Sequence, residues 1–509
     1  MSIRVVSTPI TGSTLARLAV DNAETPWYVR RPATADEWKR RADEIRGSLL
    51  SSNWLDDLAP AMSATGAAAE RLDRARKSGI AVTTGQQPGL FGGPLYTWWK
   101  ALSARSLADR VERLTGIPTV PVFWAATDDS DFAEASYTVI STADGAERLE
   151  MSADAPAGTP MSEIPIGDIA ELIAKLEHAA GSAANMKIFE IVREAYRPDA
   201  TVGSAYVRML REILEPLGIP VLDASHVAVR KAAFPLLRKA LEHAPQVEDA
   251  LALRSRDLKL AGHSAQVKLV KGRTLVFSEA QGRRERIRMR DAEEILTDAE
   301  PGSLGPNVLL RPIVERSIIP TVAYVGGGAE VAYFAQSTAV AAALEVPAPL
   351  IVPRWSGMIV EPRIEKLLER HSLTIDDFRD PHAVESRIAR ASLPPTLQEG
   401  IEELKASVAS STKKISQAEG ANLVLSTVLD GFARGLAHRV ARLERRFAAS
   451  IKRRGNAALH DVSVVRNALF PFGTPQERAL NIVPLLARHG DALISAVDEE
   501  TRRHAERLT

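Results

Sequence analysis

The chain of 509 residues contains no cysteine. This absence excludes disulfide bonds, thiolate metal sites and thiol nucleophiles, so covalent chemistry must use oxygen or nitrogen groups. The ten histidines are scattered without an HExxH or other paired zinc spacing, and we therefore predict no zinc and no metal-ligating residues. A magnesium ion held by carboxylates and by the phosphates of a ligand stays compatible with this composition.

The sequence also lacks an excess of either charge and a long apolar run. Its 64 basic and 64 acidic residues give a formal net charge of zero, which provides no bulk attraction to nucleic acid or to an anionic membrane. The first residues, MSIRVVSTPITGS, have no apolar signal-peptide region, and the run AVAAALEVPAPLIV is interrupted by Glu345 and two prolines. We therefore expect a cytoplasmic protein that binds neither nucleic acid nor a membrane.

What the sequence does contain is a repeated alternation of short β-rich runs with helical periodicity. This rhythm is typical of a parallel sheet with crossover helices. The predicted strands are GIAVTTG (79–85), TVPVFWAAT (119–127), GIPVLDAS (218–225), IPTVAYVGG (319–327) and PAPLIVPR (347–354). We predict an α/β fold whose Rossmann-like parallel-sheet core carries connecting insertions.

The chain exceeds the length of one ordinary domain, and changes in the pattern of predicted strands and helices divide it into segments. We predict the first part of the core at 1–140, an insertion at 141–200, core at 201–240, an insertion at 241–310 and the second part of the core at 311–390. Within the second insertion, QVKLVKGRTLVFSEAQGRRERIRM (266–289) indicates a small β element, with Lys271 and Gly272 at the first turn of a hairpin.

From residue 391 to 458 the pattern changes to two long helices. Apolar residues recur at alternating spacings of four and three, which predicts a helical hairpin of coiled-coil type that serves as a dimer arm. The two stripes run through Leu397, Ile401, Leu404, Val408, Ser411 and Ile415, and through Leu429, Phe432, Leu436, Val440, Leu443, Phe447 and Ile451. The basic run HRVARLERRFAASIKRR fits a nucleic-acid patch as well, but Glu444 and the apolar stripe favour a solvated coiled-coil face. Residues 459–509 are predicted to return to the core.

The first glycine-rich segment is TTGQQPGLFGGPLYTWWK (83–100). Strand, glycine loop and helix follow one another in the order that binds anions, and Pro94 suits the first helical position. The spacing matches neither GxGxxG nor GxxxxGK[ST]. From the residues alone, a structural turn and a phosphate or carboxylate cradle are equally compatible with this segment.

Acidic residues follow the next predicted strand, in WAATDDSDFAE (124–134). Asp128, Asp129, Asp131 and Glu134 stand where the carboxyl end of a parallel strand meets a ligand. Such a cluster can hold an ammonium group, bind magnesium or act as a general base. The alternative is a helix start whose acids stabilise the helix dipole.

A third block, AYVGGGAEVAYFAQS (323–337), repeats the order of strand, glycines and helix. Glu330, Tyr333 and Gln336 stand on roughly one helical face. The binding residues predicted from this block are Tyr324, Gly326, Gly327, Glu330, Tyr333 and Gln336. Arg311 and Arg354 carry forked donors that suit a carboxylate, although structural arginines are common. His263 is a candidate acid or base, or a structural side chain.

These blocks together resemble the bacillithiol biosynthesis cysteine-adding enzymes. The resemblance rests on TTGQQPGLFGGPLYTWWKA, VPVFWAATDDSDFAEA, LRPIVERSIIPTVAYVGGGAEVAYFAQS and LFPFGTPQERALNIVPLLARHG, in this order and between residues 80 and 490. It implies a ligase that joins cysteine to glucosaminyl malate and forms the amide bond of bacillithiol. It also implies a Rossmann core and a coiled coil used in homodimerisation.

The resemblance implies an active-site loop at the first glycine-rich segment, faced by the acidic cluster. The implied loop residues are Gly85, Gln86, Gln87, Gly92, Pro94, Tyr96 and Thr97. We predict Asp128, Asp129, Asp131 and Thr97 as catalytic and the other named residues as substrate- or nucleotide-binding. ATP, with or without magnesium, is the cofactor expected to activate the cysteine carboxylate, and the arginines are expected to meet the malyl carboxylates.

Two positions depart from the family pattern, which often has histidine where Trp99 and Ser130 stand. The departures leave two other functions open. One is a nucleotidyltransferase-like enzyme acting on another small carboxylate or sugar, and the other is a catalytically altered dimeric ligand-binding protein. A nucleic-acid-binding protein that uses the basic helix is a further, less favoured reading.

Overall fold

The structure is a computed structural model that describes residues 3–49, 51, 53–142, 145–280, 282–454 and 457–509. Its strands are β1 (Arg4–Ser7), β2 (Ile80–Gln86), β3 (Thr119–Ala125), β4 (Tyr137–Ser141), β5 (Ala146–Glu150), β6 (Val221–Asp223), β7 (Arg273–Ala280), β8 (Arg283–Arg288), β9 (Leu304–Pro306), β10 (Thr321–Gly326), β11 (Ile351–Pro353) and β12 (Gly357–Val360).

Helices connect and cover these strands. They are α1 (Thr14–Val20), α2 (Ala35–Arg46), α3 (Trp54–Met62), α4 (Gly66–Ala75), α5 (Leu95–Thr115), α6 (Phe132–Ala135), α7 (Ala170–Ala180), α8 (Lys187–Ala195), α9 (Val202–Leu214), α10 (Val227–Glu242), α11 (Ala244–Leu260), α12 (Ala292–Asp298), α13 (Arg311–Ile318), α14 (Gly328–Ala343), α15 (Pro362–Arg370), α16 (Pro381–Ala391), α17 (Pro395–Gln417), α18 (Ser426–Arg454), α19 (Ala457–Leu469), α20 (Gln476–Ala479), α21 (Val483–His489) and α22 (Asp491–Leu508).

The central sheet has five parallel strands in the order β6-β3-β2-β10-β11. Counted along the chain, this is 3-2-1-4-5, the strand order of a Rossmann sheet. All five strands predicted from the sequence lie in it, which confirms the α/β, Rossmann-like prediction. Because the order reverses between β2 and β10, a crevice is expected at the carboxyl ends of these two neighbours.

Both faces of the sheet are buried, which explains the continuous apolar character of its strands. Ile80 and Val82 of β2 pack into one core with Leu107 and Val111 of α5. Ala81, which points to the opposite face, packs into a second core that includes residues of α10, α13 and α14. The alternation along β2 therefore places a helical layer on each side of the sheet.

The inserted β element is a three-stranded antiparallel sheet in the order β8-β7-β9. Lys271 and Gly272 form a turn that precedes β7, so the prediction that they separate two hairpin strands is wrong. The reason lies in α14, whose Gln336 amide exchanges hydrogen bonds with the Val267 backbone at 2.8 and 2.9 Å and replaces a strand partner there. Between β7 and β8, residue 281 lies outside the described residues.

The chain divides into two compact units. The larger contains the sheet and consists of Ile3–Thr142, Glu147–Ile359 and Gln476–Thr509. In the smaller unit, whose main part is Val360–Pro475, α17 and α18 pack against each other. The segment boundaries at 140, 200, 240, 310, 390 and 458 stay a prediction.

The helices of the smaller unit carry the two apolar stripes. Many of their large apolar side chains are exposed in the single chain: Leu404, Ile415, Phe432, Leu443 and Phe447. Within the described part of the chain, no helix combines the length and the apolar character needed to cross a membrane.

Candidate active site

A cavity of about 520 Å³ opens at the carboxyl ends of β2, β3 and β10, where the strand order reverses. Eleven of the predicted site residues line it: Gly85, Gln86, Gln87, Tyr96, Asp128, Asp129, Arg311, Gly327, Glu330, Tyr333 and Arg354. The two glycine-rich segments and the acidic cluster therefore meet at one cavity. We refer to it as the main cavity.

Lys100 lies at the base of the main cavity and is fully buried. Its ammonium group donates to the Gly85 carbonyl oxygen at 2.7 Å and to Gln86 Oε1 at 2.9 Å, and it lies 2.5 Å from Glu330 Oε2. One cation on α5 thus joins β2 to α14. Burial lowers the pKa of Lys100, and the Glu330 carboxylate opposes that shift.

Glu330 is the centre of this arrangement. It accepts hydrogen bonds from the Tyr324 hydroxyl at 2.7 Å and from the Gly327 N–H at 2.8 Å. Burial alone would raise the pKa of Glu330, but the Lys100 ammonium and these donors hold it below its usual value. The carboxylate is therefore ionised, and it fixes the glycine turn that begins α14.

Arg311 is held beside this pair by its own hydrogen bonds. It donates to the hydroxyls of Tyr324 and Tyr333, each at 3.2 Å, and pairs with Glu315 at 3.2 Å. Burial raises the pKa of Glu315 to about 7, against the opposing effect of Arg311. The guanidinium thus has an internal carboxylate partner.

Arg354 forms a buried bidentate ion pair with Glu477 of α20, with N–O distances of 2.7 and 2.8 Å. Glu477 also accepts from the Ser356 hydroxyl at 2.8 Å and from the Gly357 N–H at 3.2 Å. Arg354 Nε has no hydrogen-bond partner among the described residues and is buried. This ion pair attaches α20 to the carboxyl end of β11.

The acidic cluster follows β3 along one wall. Asp128 is buried and lies 3.3 Å from Arg284 of β8, which also approaches Glu279. Asp129 receives the N–H groups of Ser130 and Asp131. Burial and the nearby Asp128 raise the pKa of Asp129, which favours its action as a proton acceptor.

Several predicted residues lie outside the lining of the main cavity: Gly92, Pro94, Thr97, Asp131, His263, Tyr324, Gly326 and Gln336. Tyr324 acts through its bond to Glu330. Asp131 caps α6 by accepting the Glu134 N–H. His263 bonds to the Thr14 hydroxyl at 3.0 Å and packs edge-on against Trp27, so the structural alternative describes its observed surroundings.

The glycine loop itself is shaped by backbone conformation and close packing. Phe91, Gly92 and Gly93 all have positive φ angles, of 52°, 84° and 72°, a conformation that strains a non-glycine residue. The Asn481 side-chain amide holds this loop by donating to the carbonyl oxygens of Leu90 and Phe91 at 3.3 and 2.9 Å. Pro94 caps α5, which begins at Leu95, one residue later than predicted.

Trp99 and Ser130 have different positions relative to the main cavity. Trp99 is fully buried, packs edge-on against Trp355 at 5.4 Å and donates to the Gly357 carbonyl oxygen at 3.4 Å. Ser130 lines the main cavity. The first departure from the family pattern thus lies in the core and only the second lies at the cavity wall.

We expect Trp99→His to lower the free energy of unfolding by about 2 kcal/mol without raising activity, because it removes buried aromatic contacts. Ser130→His should stay within about 0.5 kcal/mol of the unaltered chain, since it adds a side chain to an open wall. Denaturant unfolding and turnover of both variants check this pair. A gain of activity in Trp99→His with unchanged stability would contradict the core assignment.

Glu134 of the predicted acidic cluster also lines the main cavity, together with several polar side chains that were not predicted from the sequence: Lys100, Arg284, Arg286, Asn307 and Arg478. A lysine inside the apolar helix sequence LYTWWKALSA was the available signal for Lys100. Arg284 and Arg286 stand in QGRRERIRMRD, where a run of charges is typical of a solvated insertion. Their contribution depends on the inserted sheet folding back over the carboxyl end of β3.

Comparison with known proteins matches two family models to successive parts of the chain. Residues 1–355 match the bacillithiol biosynthesis BshC N-terminal Rossmann-like domain, and residues 357–507 match the BshC C-terminal coiled-coil domain. The chain belongs to the BshC family. The family resemblance seen in the sequence, including the coiled coil, is therefore confirmed.

Curated BshC proteins cover most of the chain. One from Koribacter versatilis, named "Putative cysteine ligase BshC", is 33% identical over 456 residues, covering 86% of this chain and 84% of the relative. A protein of the same name from Solibacter usitatus is 35% identical over 426 residues, covering 81% and 80%. The ligase class expected from the sequence agrees with these names.

Proposed function

We propose that this BshC chain is a carbon–nitrogen ligase that joins the carboxyl group of cysteine to the amino group of glucosaminyl malate, in the last step of bacillithiol biosynthesis. The observation that carries the proposal is the main cavity, which brings the glycine segments, the Lys100–Glu330 pair and the acidic cluster together at the reversal of strand order. Its volume of about 520 Å³ falls within the range of small-molecule sites.

Amide formation requires that one oxygen of the carboxylate first be converted into a better leaving group. We infer that ATP supplies it, either as an acyl-adenylate with loss of pyrophosphate or as an acyl-phosphate with loss of ADP. Attack by the glucosamine nitrogen on the activated carbonyl then releases AMP or phosphate and one proton. Asp129, which lines the main cavity and whose pKa is raised by burial, is the proposed acceptor of that proton.

The residues present fit a phosphate group at one point of the main cavity. Gly327, Gly328 and Ala329 line it at the beginning of α14, and the first N–H groups of a helix lack intrahelical partners. The Gly327 N–H already bonds to Glu330, which leaves the following N–H groups for an anion. Among the described residues no cluster of three or more metal-ligating side chains occurs, so magnesium would take most ligands from phosphate and water.

The malyl carboxylates require cations that are not already neutralised. Arg311 and Arg354 each hold an internal carboxylate, so their assignment to malate stays a prediction. Arg286 of β8 lines the same cavity, and no ion pair to it occurs within the described ranges. We therefore add Arg286 as the candidate ligand of the malyl group.

We also propose a homodimer formed through the coiled coil. The exposed apolar side chains of α17 and α18, among them Phe432 and Phe447, continue the stripes predicted from the sequence. Apolar side chains in such a series are typical of a surface that packs against another helix.

The direct test is incubation of the full chain with cysteine, ATP, magnesium and glucosaminyl malate, with mass spectrometry of the products. We expect a product whose mass is the sum of the two substrates less one water, together with AMP or ADP. Reactions without nucleotide, and with EDTA, separate the roles of ATP and metal. No amide with any nucleoside triphosphate or metal would reject the proposed reaction, whereas amide from a different acceptor would keep the ligase class and change the substrate.

A further inference from the structure

A second cavity, of about 150 Å³, adjoins the main cavity. Pro88 and Gly89 of the glycine loop, Pro94 before α5, Tyr137 and Thr138 of β4 and Ala479 of α20 line it. We call it the side cavity. The two cavities share the lining residues Gln86, Gln87, Tyr96, Glu134 and Arg478, so a ligand in the side cavity borders on the main one.

The side cavity has one acidic and one basic side chain that do not neutralise each other. Neither Glu134 nor Arg478 takes part in an ion pair within the part of the chain that the structure describes. Glu134 accepts a hydrogen bond from the Gln87 amide at 2.5 Å, and Arg478 donates to the Thr11 hydroxyl at 3.5 Å. Of the other arginines that line the main cavity, Arg284, Arg311 and Arg354 have carboxylate partners, whereas Arg286 has none among the described residues.

The surroundings of Glu134 favour a positively charged ligand. Burial, followed by repulsion from Asp131 and Asp129, raises the pKa of its carboxyl group. An ammonium group placed beside Glu134 offsets this repulsion and stabilises the ionised form. Arg478 offers the complementary group, since a guanidinium binds a carboxylate through two parallel N–H bonds.

The remaining walls are partly aromatic, and hydrogen bonds hold them in place. Tyr96 and Tyr137 present rings, and the Gln86 amide donates to the Tyr96 hydroxyl at 3.3 Å. Two side chains hold the loop that carries Pro88 and Gly89. The Asn481 amide donates to the Phe91 carbonyl oxygen, and the Tyr196 hydroxyl accepts from the Gly92 N–H at 3.2 Å. Sulfur contacts aromatic rings favourably, so these walls suit a short thiol side chain.

We propose that the side cavity binds an α-amino acid as its zwitterion, with Glu134 accepting from the ammonium group and Arg478 donating to the carboxylate. Under the proposed function, on which this assignment rests, the amino acid is cysteine. Because Glu134 and Arg478 both line the two cavities, the polar end of the amino acid is held at their common border, where the nucleotide and the acceptor amine reach the carboxylate. The small volume of the side cavity excludes the sugar substrate from this position.

The test is calorimetric titration of the full chain, without ATP, with L-cysteine, 3-mercaptopropionate and cysteamine under reducing conditions. The second ligand lacks the ammonium group and the third lacks the carboxylate. We expect Glu134→Gln to weaken cysteine binding about 10- to 100-fold and to leave 3-mercaptopropionate unchanged, and Arg478→Gln to weaken cysteine similarly and leave cysteamine unchanged. Arg478→Lys should restore part of the affinity.

Arg208→Gln and Glu194→Gln are the matched controls, since they change an exposed ion pair on α9 and α8 outside both cavities. They should leave all three dissociation constants unchanged. The assignment is overturned if Glu134→Gln and Arg478→Gln bind cysteine as the unaltered chain does, or if each variant weakens all three ligands equally. Amide formation in the unaltered chain together with either result would reject the side cavity and keep the ligase. If no amide forms but the ligand-selective losses appear, the amino-acid site stands and the proposed reaction fails.

Discussion

Lys100→Met is expected to lower the free energy of unfolding by about 3–5 kcal/mol at neutral pH and to abolish turnover, because it leaves the Glu330 carboxylate buried without its cation. In the unaltered chain, the Lys100 ammonium lies 2.5 Å from Glu330 Oε2 and also holds the Gly85 carbonyl and the Gln86 amide. The substitution therefore disturbs both glycine segments at once. Equilibrium denaturation and the ligation assay measure the two effects.

The loss should depend on pH in a definite direction. The folded-state pKa of Glu330 is held below its usual value, so this group adds stability above its unfolded pKa, and that stability is lost as pH falls through the folded value. Without Lys100, the effect of burial remains and raises the folded-state pKa. In the variant, protonation of Glu330 at lower pH therefore favours the folded state. We expect the destabilisation of Lys100→Met relative to the unaltered chain to shrink as pH is lowered from 7 towards 5.

Two further variants separate electrostatics from packing. Lys100→Met combined with Glu330→Leu removes both charges and should recover much of the lost stability, without recovering activity. Lys175→Met changes an exposed lysine that lies 3.5 Å from Glu147, and should cost less than about 1 kcal/mol. A loss below 1 kcal/mol for Lys100→Met at both pH values would show that the buried pair is not the constraint we infer.

The sheet strands could be predicted from the sequence, since each is a short apolar run followed by glycine, proline or acidic residues. The meeting of the glycine segments with the acidic cluster was predictable as well, because carboxyl ends of parallel strands share one edge. Lys100 was not assigned, since its role arises from the pairing of β2 with β10, which brings Glu330 of α14 next to this lysine in the second turn of α5. A single lysine in a helix contains no signal of such a distant partner.

The ion pairs of the arginines show equally that partners far apart in the sequence are not predicted by local patterns. Arg311 pairs with Glu315, four residues along the same helix, a spacing that was visible in LRPIVER. The partner of Arg354 is Glu477, which lies 123 residues away in the sequence. No local sequence pattern predicts this pairing. Both side chains were therefore predicted to be available to a ligand carboxylate. Only the folded chain shows that their charges are already matched, and that no ion pair to Arg286 or Arg478 forms among the residues that the structure describes.

Gly328→Ala is expected to lower the free energy of unfolding by about 3 kcal/mol or more. A Cβ atom at this position would lie 1.7 Å from the Thr11 carbonyl oxygen and 3.1 Å from the Gly12 Cα. Since both contacts are backbone atoms, the segment before α1 must move away from α14. Thermal and denaturant unfolding measure the loss.

Gly327→Ala is the matched control, one residue earlier in the same turn. Its added Cβ would meet only Glu330 Oε2 at 3.5 Å and Arg354 Nε at 3.7 Å, which are ordinary contacts, so stability should change by less than about 1 kcal/mol. The two glycines then have different roles. Gly328 is needed for the close approach of two backbones. A loss of turnover in the stable Gly327→Ala variant would indicate that a ligand approaches the turn at Gly327. Equal stability of both variants would contradict this division, because it would mean that the Thr11 segment yields to the added methyl group without cost.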